Sequence, residues 1–361
     1  MNPPKVTDED YINFIIATPR DVTATEAERV QTESKDAPAH DAFTRLLARL
    51  EPDPETLWQE ARTQIDLTSG ILVLDDSTLE KPYSRFNALC YRHWSGKQKA
   101  VVNGINLITL LWTDGVRCVP VDYRVFDKDR DGKTKNDHFA ELLIQAFERG
   151  FKPALVCFDS WYGSIENLKL CRSLGWHFLT RLKANRQINV NRSGLQAVSE
   201  AGLTGGDGTI VWLKGFGEVK VFRIRATDGT SEYWATSLNR MTEAERENFA
   251  LAAWRIEMYH RALKQQCLIE RAQCRRLFPV LNHIGLCIRA FVRLESHCYR
   301  EKISWIEAKT SIIRDAVRAY LSNPRYLLFP FLLLPPGGAR WQGVAAGQAL
   351  RVGQGIGQLR S

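Results

Sequence analysis

The sequence predicts an α/β protein, a mixed sheet with an inserted all-β region and a helical N-terminal segment. Three observations predict it. Apolar runs at 71–74 and 154–158 stop abruptly at aspartates, Asp75-Asp76 and Asp159. Short runs of this kind read as strands buried on both faces of a sheet. From residue 70 strand-like stretches come first and then alternate with helical ones, the order of a mixed sheet. Residues 186–240 are Gly-rich at GLTGGDG (202–208) and alternate apolar with polar, which reads as all-β.

Residues 1–68 are rich in helical pattern. DEDYINFII (8–16) and AHDAFTRLLARL (39–50) repeat apolar residues every three or four positions, and Thr23 with Glu26 has capping-box spacing. Such helices suit a DNA-end reader or a packing module, and the sequence favours neither. Strands are expected at 101–112 and 116–126, joined as a hairpin by Thr113-Asp114-Gly115. A helix over 137–149 stops at Gly150, and another over 164–174 stops at Gly175 before a strand at 176–182. The all-β stretch holds strands at 209–214, 218–224 and 231–236. A single long helix is expected from 241 to about 266, and a further one over 279–299. After Pro335 the chain turns to Gly, Ala and Gln without periodicity, the composition of a disordered tail. The divisions are therefore 1–68, 69–185, 186–240, 241–305 and 306–361.

The 361 residues are 44% hydrophobic and 25% charged, values ordinary for a globular protein. Asp8, Glu9 and Asp10 interrupt the first residues, so no secretory signal is expected. The apolar run at 327–336 is about half of a membrane span. A cytoplasmic protein without a membrane partner is the expectation. The eight cysteines (90, 118, 157, 171, 267, 274, 287, 298) form no C-x-x-C pair and read as buried thiols rather than zinc ligands. Residues 1–70 hold 7 Lys and Arg against 14 Asp and Glu, whereas residues 241–361 hold 18 against 9. The basic C-terminal third points to a polyanionic partner, nucleic acid first.

A carboxylate at a strand end sits on a rigid element, where a site can be built. The plain alternative for Asp159 is an N-cap of the following helix. In the long helix Glu257 shares a face with Arg261, four residues on, and with Lys264, two turns on. The plain alternative there is a solvated ion-pair stripe. Read together, Asp75, Asp159 and Glu257 would hold a pair of Mg²⁺ ions that activate a water and stabilise the departing 3′ oxygen of a phosphodiester. Arg261 and Lys264 would then contact phosphates beside the cut. Asp75 and Asp76 point to opposite faces if the strand continues. Asp75 is expected to end the strand directly and is preferred, with Asp76 the alternative.

LVLDDST (72–78), VCFDSWY (156–162) and WRIEMYHRALKQ (254–265) resemble the three catalytic blocks of DDE transposases of the bacterial IS4/IS701 insertion-sequence group. In that group the last block carries a Glu with a Lys seven residues on, as Glu257 and Lys264 do. GKTKNDHF (132–139) and TRLKANR (180–186) are also similar. The resemblance covers about residues 70–300, and order and spacing agree as well as residue type. It implies an RNase H-like core interrupted by a β insertion before the Glu helix, which matches the element order read above. It also implies a transposase that binds terminal inverted repeats, cleaves with Mg²⁺ (Mn²⁺ substituting) and joins 3′-OH ends to target DNA, working as a homodimer in the synaptic complex. Related enzymes carry a Tyr and an Arg upstream of the Glu; here Ala250 and Ala253 stand there, with Arg255 as the substitute to consider.

Other signals are weaker. Asp127, Asp129 and Asp131 begin like an EF-hand loop, but the twelfth position is His138 rather than Glu. A charged loop presenting Lys133 and Lys135 to DNA is the better reading. Trp161 is placed to stack on a base, as are Trp212 and Trp234. His260 is either a general base or a satisfied helix histidine. Two rival readings remain: a catalytically inactive relative that only binds DNA, and a carboxylate-pair hydrolase such as a glycosidase.

Overall fold

The computed structural model describes residues 4–324, apart from 32, 33, 35, 96–98, 128 and 226–228. The apolar run at 327–336 and the Gly/Gln-rich tail lie outside the described residues. The chain divides into two compact units, residues 1–314 and 315–361. The sheet, the helices around it and every carboxylate discussed below belong to the first.

Four short helices open the chain: α1 (Asp8–Ala17), α2 (Ala24–Arg29), α3 (His40–Arg49) and α4 (Pro54–Ala61). A reciprocal capping box between Thr7 and Asp10 starts α1, and Asp53 followed by Pro54 starts α4. Next come β1 (Ile71–Glu80), β2 (Tyr91–Ser95), β3 (Ala100–Thr113) and β4 (Cys118–Phe126). The Asp114-Gly115 turn joins β3 to β4. Gly115 takes φ +90°, and the Asp114 carboxylate accepts the amides of Val116 (3.0 Å) and Arg117 (2.8 Å). Then follow α5 (Lys135–Glu148), β5 (Val156–Phe158), α6 (Ile165–Ser173) and β6 (Phe178–Leu182). β7 (Gln187–Asn189), β8 (Leu195–Ala197), β9 (Thr209–Leu213), β10 (Gly217–Arg225) and β11 (Ser231–Thr236) precede α7 (Glu243–Ala253), α8 (Arg255–Gln265) and α9 (Leu277–Glu301). The final helix is α10 (Trp305–Ser322), whose residues from 315 on belong to the second unit.

Among the described residues, eleven strands form one mixed sheet in the order β2-β3-β1-β5-β6-β11-β10-β9-β7-β8, with β4 also paired to β3. β1 lies near the middle, antiparallel to β3 and parallel to β5. Its apolar start is buried because both edges are paired and both faces are covered. Ile71 and Val73 pack into one core with Tyr259, Phe291 and the first helices. Leu72 and Leu74 pack into a second core with Phe139, Phe158 and Tyr162. The strands from 187 to 236 are not a free-standing module: β11 pairs with β6 and carries the same sheet onward.

Two expectations about elements change. β1 does not end at Asp75. Its parallel pairing with β5 stops at Leu74–Phe158, but its antiparallel pairing with β3 continues to Glu80. The apolar run marked where one neighbour ends, not where the strand ends. The helix expected from 241 to 266 is two helices, α7 and α8, broken at Trp254. There the Glu257 amide bonds the Trp254 carbonyl at 3.1 Å, a tighter i→i+3 turn.

The opposite charges of the chain's two ends meet. Arg289 of α9 pairs with Asp8 (2.7 Å) and Glu60 (2.6 Å), and Arg293 pairs with Glu9 (2.6 Å) and Glu60 (3.3 Å). Part of the basic C-terminal third is therefore engaged within the fold, and the first four helices pack in the same compact unit as the sheet. α9 is long and apolar enough to cross a membrane by length and composition, but most of that stretch is buried here against α1, α3 and α4. All eight cysteines are free, six of them buried.

Candidate active site

Asp75 lies in mid-β1 opposite Thr109 of β3. Alternation puts Asp75 on the face covered by α7 and α8, and Asp76 on the face covered by α5. Asp159 is the first residue after β5. The N-cap of α6 is Ser164, which accepts the Asn167 amide at 3.2 Å, so Asp159 is not that cap. It closes a turn of its own: its Oδ1 accepts the amides of Trp161 (2.9 Å) and Tyr162 (3.4 Å), while Thr180 Oγ1 donates to its carbonyl at 3.1 Å. Glu257 stands in the first turn of α8.

These three carboxylates, drawn from a strand, a turn and a helix, line one cavity of about 380 Å³. Its other walls include Arg181, Trp234, Arg246 and Trp254, and the small residues Ala250 and Ala253. Burial pushes the Asp75 carboxyl well above the usual range, and the neighbouring Asp76, Asp159 and Glu257 carboxylates push it further. Partial desolvation also raises the Asp159 carboxyl, against its two amide hydrogen bonds. Asp76 behaves oppositely. Burial would raise its carboxyl, but the Lys135 ammonium at 2.8 Å and hydrogen bonds from Asn106 and Tyr162 hold it below the usual range.

The cavity therefore gathers three carboxyl groups as oxygen donors, the chemistry that suits a hard divalent cation. Among the described residues, no three His, Cys, Asp or Glu side chains already stand close enough to share one ion. The donor types are those such an ion takes. A carboxyl whose folded pKa is raised contributes stability below its unfolded value, about 3.9, that is lost as pH rises through the folded one. Asp75→Asn is accordingly expected to stabilise the metal-free protein at neutral pH. A rise in thermal midpoint in a chelating buffer that shrinks towards pH 4 would show it.

The remaining expected contacts are distributed differently. Lys264 Nζ donates to the Thr78 carbonyl at 2.6 Å and lies 3.3 Å from Glu270, so it ties α8 to β1. The seven-residue spacing keeps it on the β1 side of α8, but farther down that strand. Arg255 donates to the Gly115 carbonyl at 3.0 and 3.1 Å, anchoring α8 on the β3–β4 turn and away from the cavity wall. Lys133 pairs with Glu141 and Lys135 with Asp76. Arg261 is exposed on α8. Trp161 is 58% exposed beside Asp159, with Lys135 and Lys183 ammoniums 5.8 and 5.6 Å from its ring centre. His260 is buried, and burial lowers its pKa to about 3, so it stays neutral at physiological pH; it does not line the cavity. In the EF-hand-like loop, Asp131 Oδ2 accepts from the Asp127 amide at 3.0 Å and from His138 at 2.9 Å.

Sequence reasoning did not single out Arg181 or Arg246. Both guanidiniums lie over Trp234, at 5.0 and 5.7 Å, and Arg246 is paired with Glu243 at 2.6 Å. Arg181 falls inside the TRLKANR patch, but nothing in the sequence brings β6, β11 and α7 together.

The family described as "Transposase DDE domain" matches residues 67–293, which contain all three carboxylates. No curated protein matches the chain. Among solved structures, a piggyBac transposase synaptic complex with hairpin DNA is similar over 91% of this chain and 78% of that one, at 10% identity and a TM-score of 0.50. This is a likeness of fold. The Mos1 strand transfer complex matches 49% of this chain and 58% of that one at 12% identity, with a TM-score of 0.20, too slight to bear on the fold. Matched over most of its length, this chain belongs to the transposase DDE domain family.

Proposed function

We propose that this chain is a DNA transposase of the bacterial IS4/IS701 insertion-sequence group. It would bind the terminal inverted repeats of its element, cut at the ends and join the freed 3′-OH to target DNA, acting in the cytoplasm. The observation that carries the reading is the convergence of Asp75, Asp159 and Glu257 on one cavity. Divalent cations bound there, Mg²⁺ with Mn²⁺ able to substitute, would activate the attacking oxygen and stabilise the departing one. Asp75 offers its carboxylate from the most rigid position, a central strand. Asp159 offers one fixed by its own turn, and Glu257 one on the first turn of α8. Arg181, Arg246 and Trp234 make the adjoining wall cationic and aromatic, which suits a phosphodiester backbone and an unstacked base. Arg261 and Trp161, both exposed, would add to that surface. Handling two element ends at once calls for two copies of the chain.

A second reading is favoured by one observation. Ala250 and Ala253 line the cavity where related enzymes carry Tyr and Arg, so a copy that binds DNA without cutting it would be missing contacts there. Nicking of a duplex carrying the element's end separates the two. Cutting with Mg²⁺ or Mn²⁺ that stops in EDTA supports the transposase; binding without cutting in either metal supports the remnant. Failure to bind DNA at moderate salt would revive a hydrolase of another class.

A further inference from the structure

Asp76 has its carboxylate fully engaged on the face of β1 away from the cavity. Its Oδ2 accepts Asn106 Nδ2 at 2.6 Å and Lys135 Nζ at 2.8 Å, and its Oδ1 accepts the Tyr162 hydroxyl at 2.8 Å. Tyr162 is buried with its ring stacked on Phe139, centroids 5.5 Å apart and planes 21° apart. Its carbonyl accepts Asn167 Nδ2 at 2.9 Å, and its amide donates to Asp159 Oδ1 at 3.4 Å. One residue therefore joins the carboxylate of Asp76 to that of Asp159. The Lys135 ammonium that holds Asp76 also lies 5.8 Å from the Trp161 ring, whose amide makes the other bond to Asp159.

We propose that Asp76 is a positioning residue: through Tyr162 and Lys135 it anchors the turn that aims Asp159 into the cavity, and it does not face the cavity itself. An apolar residue would pack this face of β1, among Leu74, Phe139 and Phe158, without burying a charge. What a carboxylate adds is direction. It accepts from β3, from the first residue of α5 and from the 159–162 turn at once, and so fixes three elements against β1. Partners that orient a metal-ligating carboxylate weaken metal affinity about 10–100-fold when removed. The role assigned to Asp159 rests on the proposed function; the anchoring of its turn does not.

Two measurements on the full chain test this. The first is amide hydrogen exchange in metal-free protein, wild type against Tyr162→Phe, which keeps the ring stack and removes only the hydroxyl. Exchange over residues 159–163 is expected to speed up about tenfold with β3 and β6 unchanged; unchanged protection there overturns the anchor. The second is Mn²⁺ binding followed by electron paramagnetic resonance. Tyr162→Phe is expected to weaken binding about tenfold, while Asp75→Asn and Asp159→Asn remove it. If Asp76→Asn removes binding and Asp75→Asn keeps it, Asp76 is itself the ligand and the proposal fails. A wild type that binds no Mn²⁺ overturns the metal reading of the cavity, and the exchange comparison, which needs no metal, still decides the anchor.

Discussion

Glu257→Gln is expected to abolish strand cutting, on the order of a thousandfold or more, while affinity for duplex DNA is expected to stay within about twofold of wild type. The substitution keeps the side chain's length and removes its charge. A metal-assisted transfer gains several kcal/mol of transition-state stabilisation from correctly held ions, and each 1.4 kcal/mol is tenfold in rate. Glu257 is exposed in the first turn of α8 and no described structural hydrogen bond depends on its carboxylate, so the fold is expected to survive. Single-turnover cutting beside a filter-binding or anisotropy titration separates the two quantities. Loss of binding together with cutting would make Glu257 a structural residue instead.

The second large effect lies away from the cavity. Asp122 in β4 is completely buried. Arg124 reaches its Oδ1 at 2.5 Å and Arg149, at the end of α5, its Oδ2 at 3.0 Å. Arg149 also pairs with Glu55 at 2.9 Å and lies 4.7 Å from the Trp58 ring, so one carboxylate connects β4, α5 and α4. Removing one partner of a buried ion pair leaves the other charge uncompensated, at a cost of about 3–5 kcal/mol. Asp122→Ala is thus expected to lower the thermal midpoint by about 6–20 °C at roughly 2–4 °C per kcal/mol. Asp41→Ala, which removes an exposed pair with Arg45, should change it little. Equal shifts from the two variants would contradict this account of β4.

The carboxylate motifs were legible because each depends on local sequence. The apolar runs that build a central strand stop at polar residues, and Glu257 with its companions repeats at helical spacing. What the sequence could not show was which neighbour each strand end faces. β1 continues past Asp75 because β3, thirty residues later, goes on pairing with it. The break at Trp254 has no Gly or Pro to announce it, so 241–266 read as one helix. Lys264 was expected at phosphates from helical periodicity, which gives a face but not what packs on it; its ammonium meets the Thr78 carbonyl. The basic C-terminal third pointed to a polyanionic partner, and the pairing of its Arg289 and Arg293 with the acidic first helices needs the fold. Arg181, Trp234 and Arg246 gather only when β11 pairs with β6 and α7 crosses above them.

The most direct test of the central claim is cutting of a labelled duplex carrying the element's end, in Mg²⁺, by wild type, Asp75→Ala and Asp76→Asn at equal DNA occupancy. The account predicts that wild type cuts, that Asp75→Ala does not, and that Asp76→Asn still cuts at a reduced rate and a higher Mg²⁺ requirement. Cutting by Asp75→Ala at the wild-type rate would show that the cavity-facing carboxylates are not the reacting centre.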